Sequence, residues 1–175
     1  MVDKINQAAE RREQNAVKQG KPVHGILVEG LSNCLIKFSR CCTPVPGDDI
    51  VGFITRGQGV SIHRADCENY TQRRNDPENA GRWVRVQWAR EITDSYVCTL
   101  TITARDRNGL VMDIATVLNS LNAKVRTLTA RDMAGGNAIA SVTLEVKSAA
   151  ELKYIMGRLA AIQGITSVKR NGQIE

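Results

Sequence analysis

The strongest constraint on this chain is a change of hydrophobic period between Tyr96 and Arg170. Over residues 96–104 the period is two. Cys98, Leu100, Ile102 and Ala104 fall on one side, and Val97, Thr99, Thr101 and Thr103 on the other. Over 109–122 the period becomes helical, with Leu110, Ile114, Val117, Leu118 and Leu121 on one stripe. Residues 124–132 and 137–146 read as strands joined through Ala134-Gly135-Gly136, a tight hairpin signal. Ser148 and Glu151 form a capping box for a second helix that buries Leu152, Ile155, Met156 and Leu159 and ends at Gly164. A last strand covers 165–170. The order β-α-β-β-α-β predicts a ferredoxin-like unit, a four-stranded antiparallel sheet with both helices on one face. The other face carries Thr99, Thr101, Thr103, Thr127, Thr129, Ser141 and Thr143 and tolerates water.

The segment before it, residues 22–92, predicts a smaller, β-rich mixed domain, so the fold class is α+β. Residues 23–29 and 34–38 read as strands around the hairpin-like turn Gly30-Leu31-Ser32-Asn33. Thr43-Pro44-Val45-Pro46-Gly47-Asp48 is a rigid loop, because two prolines fix φ. Residues 50–55 and 60–63 form a second hairpin around Arg56-Gly57-Gln58-Gly59. Asp66 is expected to cap a short helix reaching about Arg73. Trp83, Val84, Val86 and Trp88 lie in a final strand. Residues 3–19 are polar and rich in helix formers, an exposed linker helix stopped by Gly20 and Pro22. The expected divisions are therefore 1–21, 22–92 and 93–175.

Charge excludes little. The chain has 24 Lys+Arg against 18 Asp+Glu, a net charge of +6 spread as +2, +1 and +3 over residues 1–22, 23–93 and 94–175. A weakly basic surface is compatible with nucleic acid and equally with a solvated surface of mixed charge. No apolar run approaches the roughly 20 residues of a membrane span. The start of the chain lacks the apolar core of an export signal. Five cysteines, an odd number, argue against a disulfide framework and for a reducing, cytoplasmic setting.

Two constellations carry chemistry. Cys41, Cys42, His63 and Cys67 offer four ligands of the soft and borderline type that zinc takes in tetrahedral sites. The usual Cys-x₂-Cys knuckle is missing, and two adjacent cysteines on one ion demand a tight local conformation. The alternative is that these cysteines pack as small apolar side chains beside rigid prolines. Cys34 and Cys98 read as core residues. The second constellation is Arg105-Asp106-Arg107-Asn108-Gly109-Leu110, between the first strand and first helix of the ferredoxin-like unit. Gly109 lets backbone approach a ligand, and the new helix offers free N–H groups for a carboxylate. The competing reading is that Asp106 or Asn108 merely caps the helix. An RNA-reading sheet is disfavoured, since Thr and Ser stand where aromatic residues would have to stack bases.

Asp106-Arg107-Asn108-Gly109-Leu110 within this topology resembles an ACT domain, a small-molecule-sensing module. The longer strings Phe38 to Asp48 and Gly52 to Cys67, with Cys-Cys-x-Pro-x-Pro-Gly-Asp and His-x-x-x-Cys, resemble the Cys-rich domain that precedes the ACT domain in long Rel/SpoT-type stringent-response proteins. That domain is called a zinc-finger or ribosome-intersubunit domain, and the resemblance covers about residues 21–171. The family makes and degrades (p)ppGpp in N-terminal catalytic domains, for which this chain has no room. The resemblance implies a regulatory fragment without catalytic residues or a required cofactor, with zinc at Cys41, Cys42, His63 and Cys67 as an option. It implies docking on ribosomal RNA, for which Arg56, Arg64, Arg73, Arg74, Arg82 and Arg85 are the candidates. It also implies an amino-acid site, for a branched-chain amino acid, from Asp106, Arg107, Asn108, Gly109, Leu110 and Met112, with Val111 beside them. Val125 or Leu128 on the neighbouring strand would complete the pocket, and Asn122 would approach the corresponding loop of a partner subunit in an ACT homodimer. The alternatives are a stand-alone ACT-type amino-acid-binding regulator and a zinc-dependent RNA-binding module.

Overall fold

A computed structural model describes residues 23–57 and 59–171. The expected helix over 3–19, with its stop at Gly20 and Pro22, lies outside the described residues. The first domain contains β1 (Ile26–Val28), β2 (Leu35–Phe38), β3 (Ile50–Ile54), β4 (Gly59–Arg64), α1 (Glu68–Arg73), a 3₁₀ turn (Pro77–Asn79) and β5 (Trp83–Trp88). Its five-stranded sheet has the order β1-β5-β3-β4-β2. Ile26, Val28, Ile36, Val60 and Ile62 form its core. Gly52 leaves room for the branched side chains of Val60, Val84 and Val86, because a Cβ there would lie 2.8–3.0 Å from all three.

The β3–β4 hairpin forms as expected, from Ile50↔Arg64 to Ile54↔Val60. The expected pairing of the first two strands does not. β1 runs antiparallel to β5, whereas β2 runs parallel to β4. The Gly30–Asn33 segment therefore carries the chain from one edge of the sheet to the other. Each short strand finds a longer partner there than the other could provide. Asp66 does not cap α1 either. The N-cap is Cys67, without a side-chain cap, and Asp66 instead accepts from Arg64 Nε and Nη2 at 2.7 and 3.0 Å.

The second domain contains β6 (Tyr96–Arg105), α2 (Leu110–Ser120), β7 (Lys124–Met133), β8 (Asn137–Val146), α3 (Ala149–Ala160) and β9 (Ile165–Arg170). The sheet order is β7-β8-β6-β9 and every pairing is antiparallel. Strand alternation buries Cys98, Leu100, Ile102 and Ala104 on the helix side, opposite Leu144, Val142, Ala140 and Ala138 of β8. Ile114 and Leu118 of α2, with Leu152, Ile155 and Leu159 of α3, close the core. Ser148 Oγ accepts from the Glu151 N–H at 3.1 Å, and Glu151 Oε2 accepts from the Lys147 N–H at 2.7 Å, which satisfies donors at the head of α3.

The two domains share apolar contacts. Val45, from the proline loop of the first domain, has no exposed surface and belongs to the second domain's core. Phe38, Trp88 and Tyr96 stack across the seam, with ring centroids 5.3–5.9 Å apart. The Tyr96 hydroxyl donates to the His24 carbonyl at 3.0 Å. Truncating Val45 removes a buried side chain where neighbours cannot collapse freely. Val45→Ala is expected to cost about 2 kcal/mol of unfolding free energy, read from denaturant titration.

Glu145 secures the edge strand. Its carboxylate, 7% exposed, accepts from Lys124 Nζ, Arg126 Nε and Ser95 Oγ at 2.7–3.0 Å. Lys124 first, then Arg126, hold its pKa down to about 2. A depressed carboxylate stabilises the fold above its unfolded pKa and loses that contribution as pH falls through the folded value. The melting temperature should therefore drop between about pH 4.5 and 2, and Glu145→Gln should flatten this acid limb. An unchanged limb in the variant would assign the acid sensitivity to other carboxylates.

Candidate functional site

The first site begins where β2 ends. The Thr43 N–H donates to the Ser39 carbonyl at 2.9 Å, so residues 39–43 close a single helical turn. Adjacent side chains on such a turn diverge by about 100°, so the turn must be placed with both sulfurs toward one point. Thr43 leaves it with φ 43°, the left-handed region, which is uncommon for a β-branched residue. Opposite the turn, His63 projects from β4 and Cys67 from the start of α1.

Cys41 Sγ lies 3.4 Å from His63 Nδ1, 3.6 Å from Cys67 Sγ and 3.9 Å from Cys42 Sγ. His63 Nδ1 lies 3.7 Å from Cys67 Sγ and 3.9 Å from Cys42 Sγ. All four ligand atoms fall within 4.8 Å of one another. Zinc bound to sulfur at about 2.3 Å and nitrogen at about 2.0 Å implies tetrahedral edges of roughly 3.5–3.8 Å. The donor set and its spacing thus fit one tetrahedral ion. They bring together the four residues expected from sequence, adjacent cysteines included.

The surroundings tune these ligands. Burial pushes the Cys42 and Cys67 thiols up and the His63 imidazole down, so each favours its neutral form. The Arg64 N–H donates to Cys42 Sγ at 3.3 Å and opposes the effect of burial there. Arg64 itself is 2% exposed. Its Nη1 donates to the Cys42 carbonyl at 3.2 Å, and the rest of its guanidinium binds Asp66. It is a strut of the cluster, which corrects its expected place on an RNA-facing surface. Trp83 is a neighbour that sequence reasoning missed. Its ring packs edge-on against His63, 5.8 Å between centroids, and contacts Phe53 and Tyr70 at 4.6 and 4.8 Å.

Arg56 at the β3–β4 turn, Arg73 and Arg74 at the end of α1, and Arg85 on β5 are exposed. Arg82 is half-buried, 4.4 Å above the Phe53 ring, and donates from Nε and Nη2 to the Ile54 carbonyl.

The second site is a hollow of about 360 Å³ at the head of α2. Asp106, Arg107, Asn108, Gly109, Leu110, Val111 and Met112 form one wall. The floor is Ile102, Ala104, Ile114, Ala138 and Ala140, and Ala130, Arg131 and Asp132 of β7 close the far side. Gly109, at φ 78°, is the N-cap, and no side chain caps the helix, so neither Asp106 nor Asn108 does so. By helix geometry the N–H groups of Val111 and Met112 have no partner inside α2. Arg107 spans the loop, donating to Asp113 and to the Gln163 carbonyl. Val125 and Leu128 do not line the hollow, nor does Asn122, whose expected place is against the corresponding loop of a partner subunit. They lie at the far end of α2 and the start of β7, since the chain reverses between them and only the later part of β7 returns to the head of the helix. Ala130 of β7 and Ala138 and Ala140 of β8 were missed. Their signal is Ala138 and Ala140 on the inward side of β8, opposite Asp132 and Ala130. A side chain at Gly109 would be held in a left-handed conformation that costs roughly 1–2 kcal/mol. Gly109→Val should lower unfolding free energy by about that much, and an unaffected midpoint would mean that the loop relaxes freely.

Residues 26–89 match the RelA/SpoT RIS domain, and residues 93–170 match an ACT domain. Among curated proteins, the chain is 35% identical over 147 residues to a GTP pyrophosphokinase of Escherichia coli K12, covering 83% of this chain and 19% of that protein. It is 34% identical over 169 residues to one of Haemophilus influenzae, covering 95% of this chain and 22% of that protein. The chain thus spans about a fifth of the length of these relatives. Among solved structures, the ACT domain from GTP pyrophosphokinase of Chlorobium tepidum aligns with 44% of this chain and 99% of its own, at 23% identity and a TM-score of 0.40.

Proposed function

From a chain that joins a RelA/SpoT RIS domain to an ACT domain, and so belongs to the regulatory region of the RelA/SpoT family, we propose that it governs the (p)ppGpp-making and -degrading part of a longer protein. In this reading it reports ribosome state through the first domain and amino-acid state through the second, and has no turnover of its own. The observation that carries the reading is the hollow at the head of α2. It combines an apolar floor with helix N–H groups that have no partner inside α2, beside Asp106 on one wall, and the carboxylate of Asp132 on the far side. An amino acid needs those three environments, for its side chain, its carboxylate and its ammonium. The floor is branched-aliphatic and alanine, which favours valine, leucine or isoleucine over polar side chains.

On the RIS side, the four exposed arginines supply phosphate-directed charge, and Arg82 over Phe53 adds a cationic and aromatic edge beside them. Zinc is the ion we assign to Cys41, Cys42, His63 and Cys67. It would lock the turn at 39–43 to β4 and α1 and so hold the arginine-bearing hairpin and helix in register. Strand β7 is open along its whole length except at half-buried Leu128. It is the edge we assign to a second copy.

Titration calorimetry of the purified chain with valine, isoleucine and leucine, with glutamate as a control, tests the amino-acid reading. Saturable heat is expected for a branched-chain amino acid and not for glutamate. Ala130→Leu, which fills the hollow from its exposed edge, should abolish it. A folded protein that gives no heat with any of the three would leave ribosome docking as the role of both domains. Ribosome co-sedimentation tests the other half. Arg73→Glu/Arg74→Glu should weaken binding and reduce its salt dependence by roughly one logarithmic unit per lost phosphate contact. Zinc should bind one per chain with release of thiol protons, so its affinity should fall as pH falls. A metal content well below one per folded chain would remove zinc from the account.

A further inference from the structure

The loop from Cys41 to Asp48 belongs to both domains at once. At one end Cys41 and Cys42 face His63 and Cys67. Three residues further on, Val45 is fully buried in the ACT core. Arg170, the last residue of β9, reaches back from the ACT side. Its Nη1 and Nη2 donate to Asp48 Oδ1 and Oδ2 at 2.7 Å each, and Nη2 also donates to the Thr43 carbonyl at 3.1 Å. The two charged side chains are 11% and 10% exposed. The Ala149 N–H, at the first position of α3, donates to the Pro46 carbonyl at 2.7 Å. Thr43 Oγ1 donates toward Cys98 Sγ at 3.5 Å.

These contacts fall on the part of the loop that decides where the sulfurs point. Thr43 holds φ 43° directly after Cys42, and a β-branched residue stays there only when its surroundings impose it. Two ACT groups grip Thr43, Arg170 at its carbonyl and Cys98 at its hydroxyl. On the other side, the Val45 N–H donates to Asp48 Oδ2 at 2.8 Å, so the carboxylate that Arg170 holds also folds the loop onto itself.

We infer that the ACT domain is a positioning element of the Cys/His centre: Arg170, acting through Asp48 and the Thr43 carbonyl, sets the loop geometry in which Cys41 and Cys42 converge. Metal affinity and the seating of the ACT domain are then linked. This rests on the reading that the centre takes a metal. Linkage makes the effect reciprocal. An occupied centre holds the loop against α3 and β9, and an empty one releases it. The loop thereby offers a physical route between the ribosome-facing domain and the amino-acid hollow.

The test measures zinc affinity of the whole chain by chelator competition. Arg170→Gln removes the paired contact. Ala149→Pro keeps α3, because proline suits the first helical position, but deletes the bond to Pro46. Zinc affinity should fall about tenfold in Arg170→Gln, within the range typical of coupled sites. It should fall severalfold in Ala149→Pro, and not at all in Arg126→Gln, which loses only a surface pair with Glu145. The second readout uses the unaltered protein. Exchange of the Ala149 amide should speed up about tenfold when zinc is removed, while the amide of Val142 in the sheet core should not change. Equal affinity in Arg170→Gln and wild type, with Ala149 exchange independent of zinc, would overturn the inference while leaving the metal reading intact. If the wild-type chain binds no zinc, both fall. If Arg170→Gln fails to fold, the exchange measurement decides.

Discussion

The ion pair between Arg170 and Asp48 is the interaction on which the rest of the structure leans. Both charges are nearly removed from water, which would be costly if either stood alone. Two parallel N–H to carboxylate bonds and a third bond to the Thr43 carbonyl offset that cost. Removing one partner of such a pair typically costs about 3–5 kcal/mol, a large fraction of the stability of a small domain. The pair closes a ring of contacts made by Val45 in the ACT core, Pro46 at the head of α3, and Trp88, whose Nε1 donates to the Asp48 carbonyl at 3.0 Å. One short loop thus brings two sheets together and ends at the cysteine pair. Its two prolines reduce the entropy that this ordering would otherwise consume.

The two candidate sites differ in how their chemistry is arranged. The Cys/His centre is partly buried, so a metal bound there would displace protons from thiols that burial holds on. The hollow at α2 is open and polar along its rim. Its wall offers backbone N–H groups and carboxylate side chains at an open surface. The first arrangement suits a permanent structural ion, and the second a ligand that comes and goes. This division is what the proposed roles require, docking for one domain and response to a small molecule for the other.

Much of the ACT domain was legible because each of its elements has its own period. The alternation from Cys98 to Ala104, the stripe from Leu110 to Leu121 and the Ser148–Glu151 box are local signals, and the structure follows all three. The Cys/His cluster was legible by residue type, although the turn that brings Cys41 and Cys42 together carries contacts from another domain. The partnering of β1 and β2 was not legible. Gly30 to Asn33 looks like a hairpin turn, and only the competition among five strands sends β1 and β2 to opposite edges. The fate of Arg64 could have been found. It shares a strand face with Val60 and Ile62, so alternation along β4 points it inward. Val125 and Leu128 were placed at the hollow as residues of the strand beside α2. The direction of return of β7 puts Ala130 and Asp132 there instead.

The account turns on four side chains acting as one tetrahedral centre from which the Cys41–Asp48 loop departs. X-ray absorption at the zinc edge, on the whole chain reconstituted with one equivalent of zinc, tests this most directly. The account predicts a first shell of three sulfurs at about 2.3 Å and one nitrogen at about 2.0 Å, with one sulfur lost in Cys42→Ser. A shell of oxygen and nitrogen alone, or one unchanged by Cys42→Ser, would contradict it.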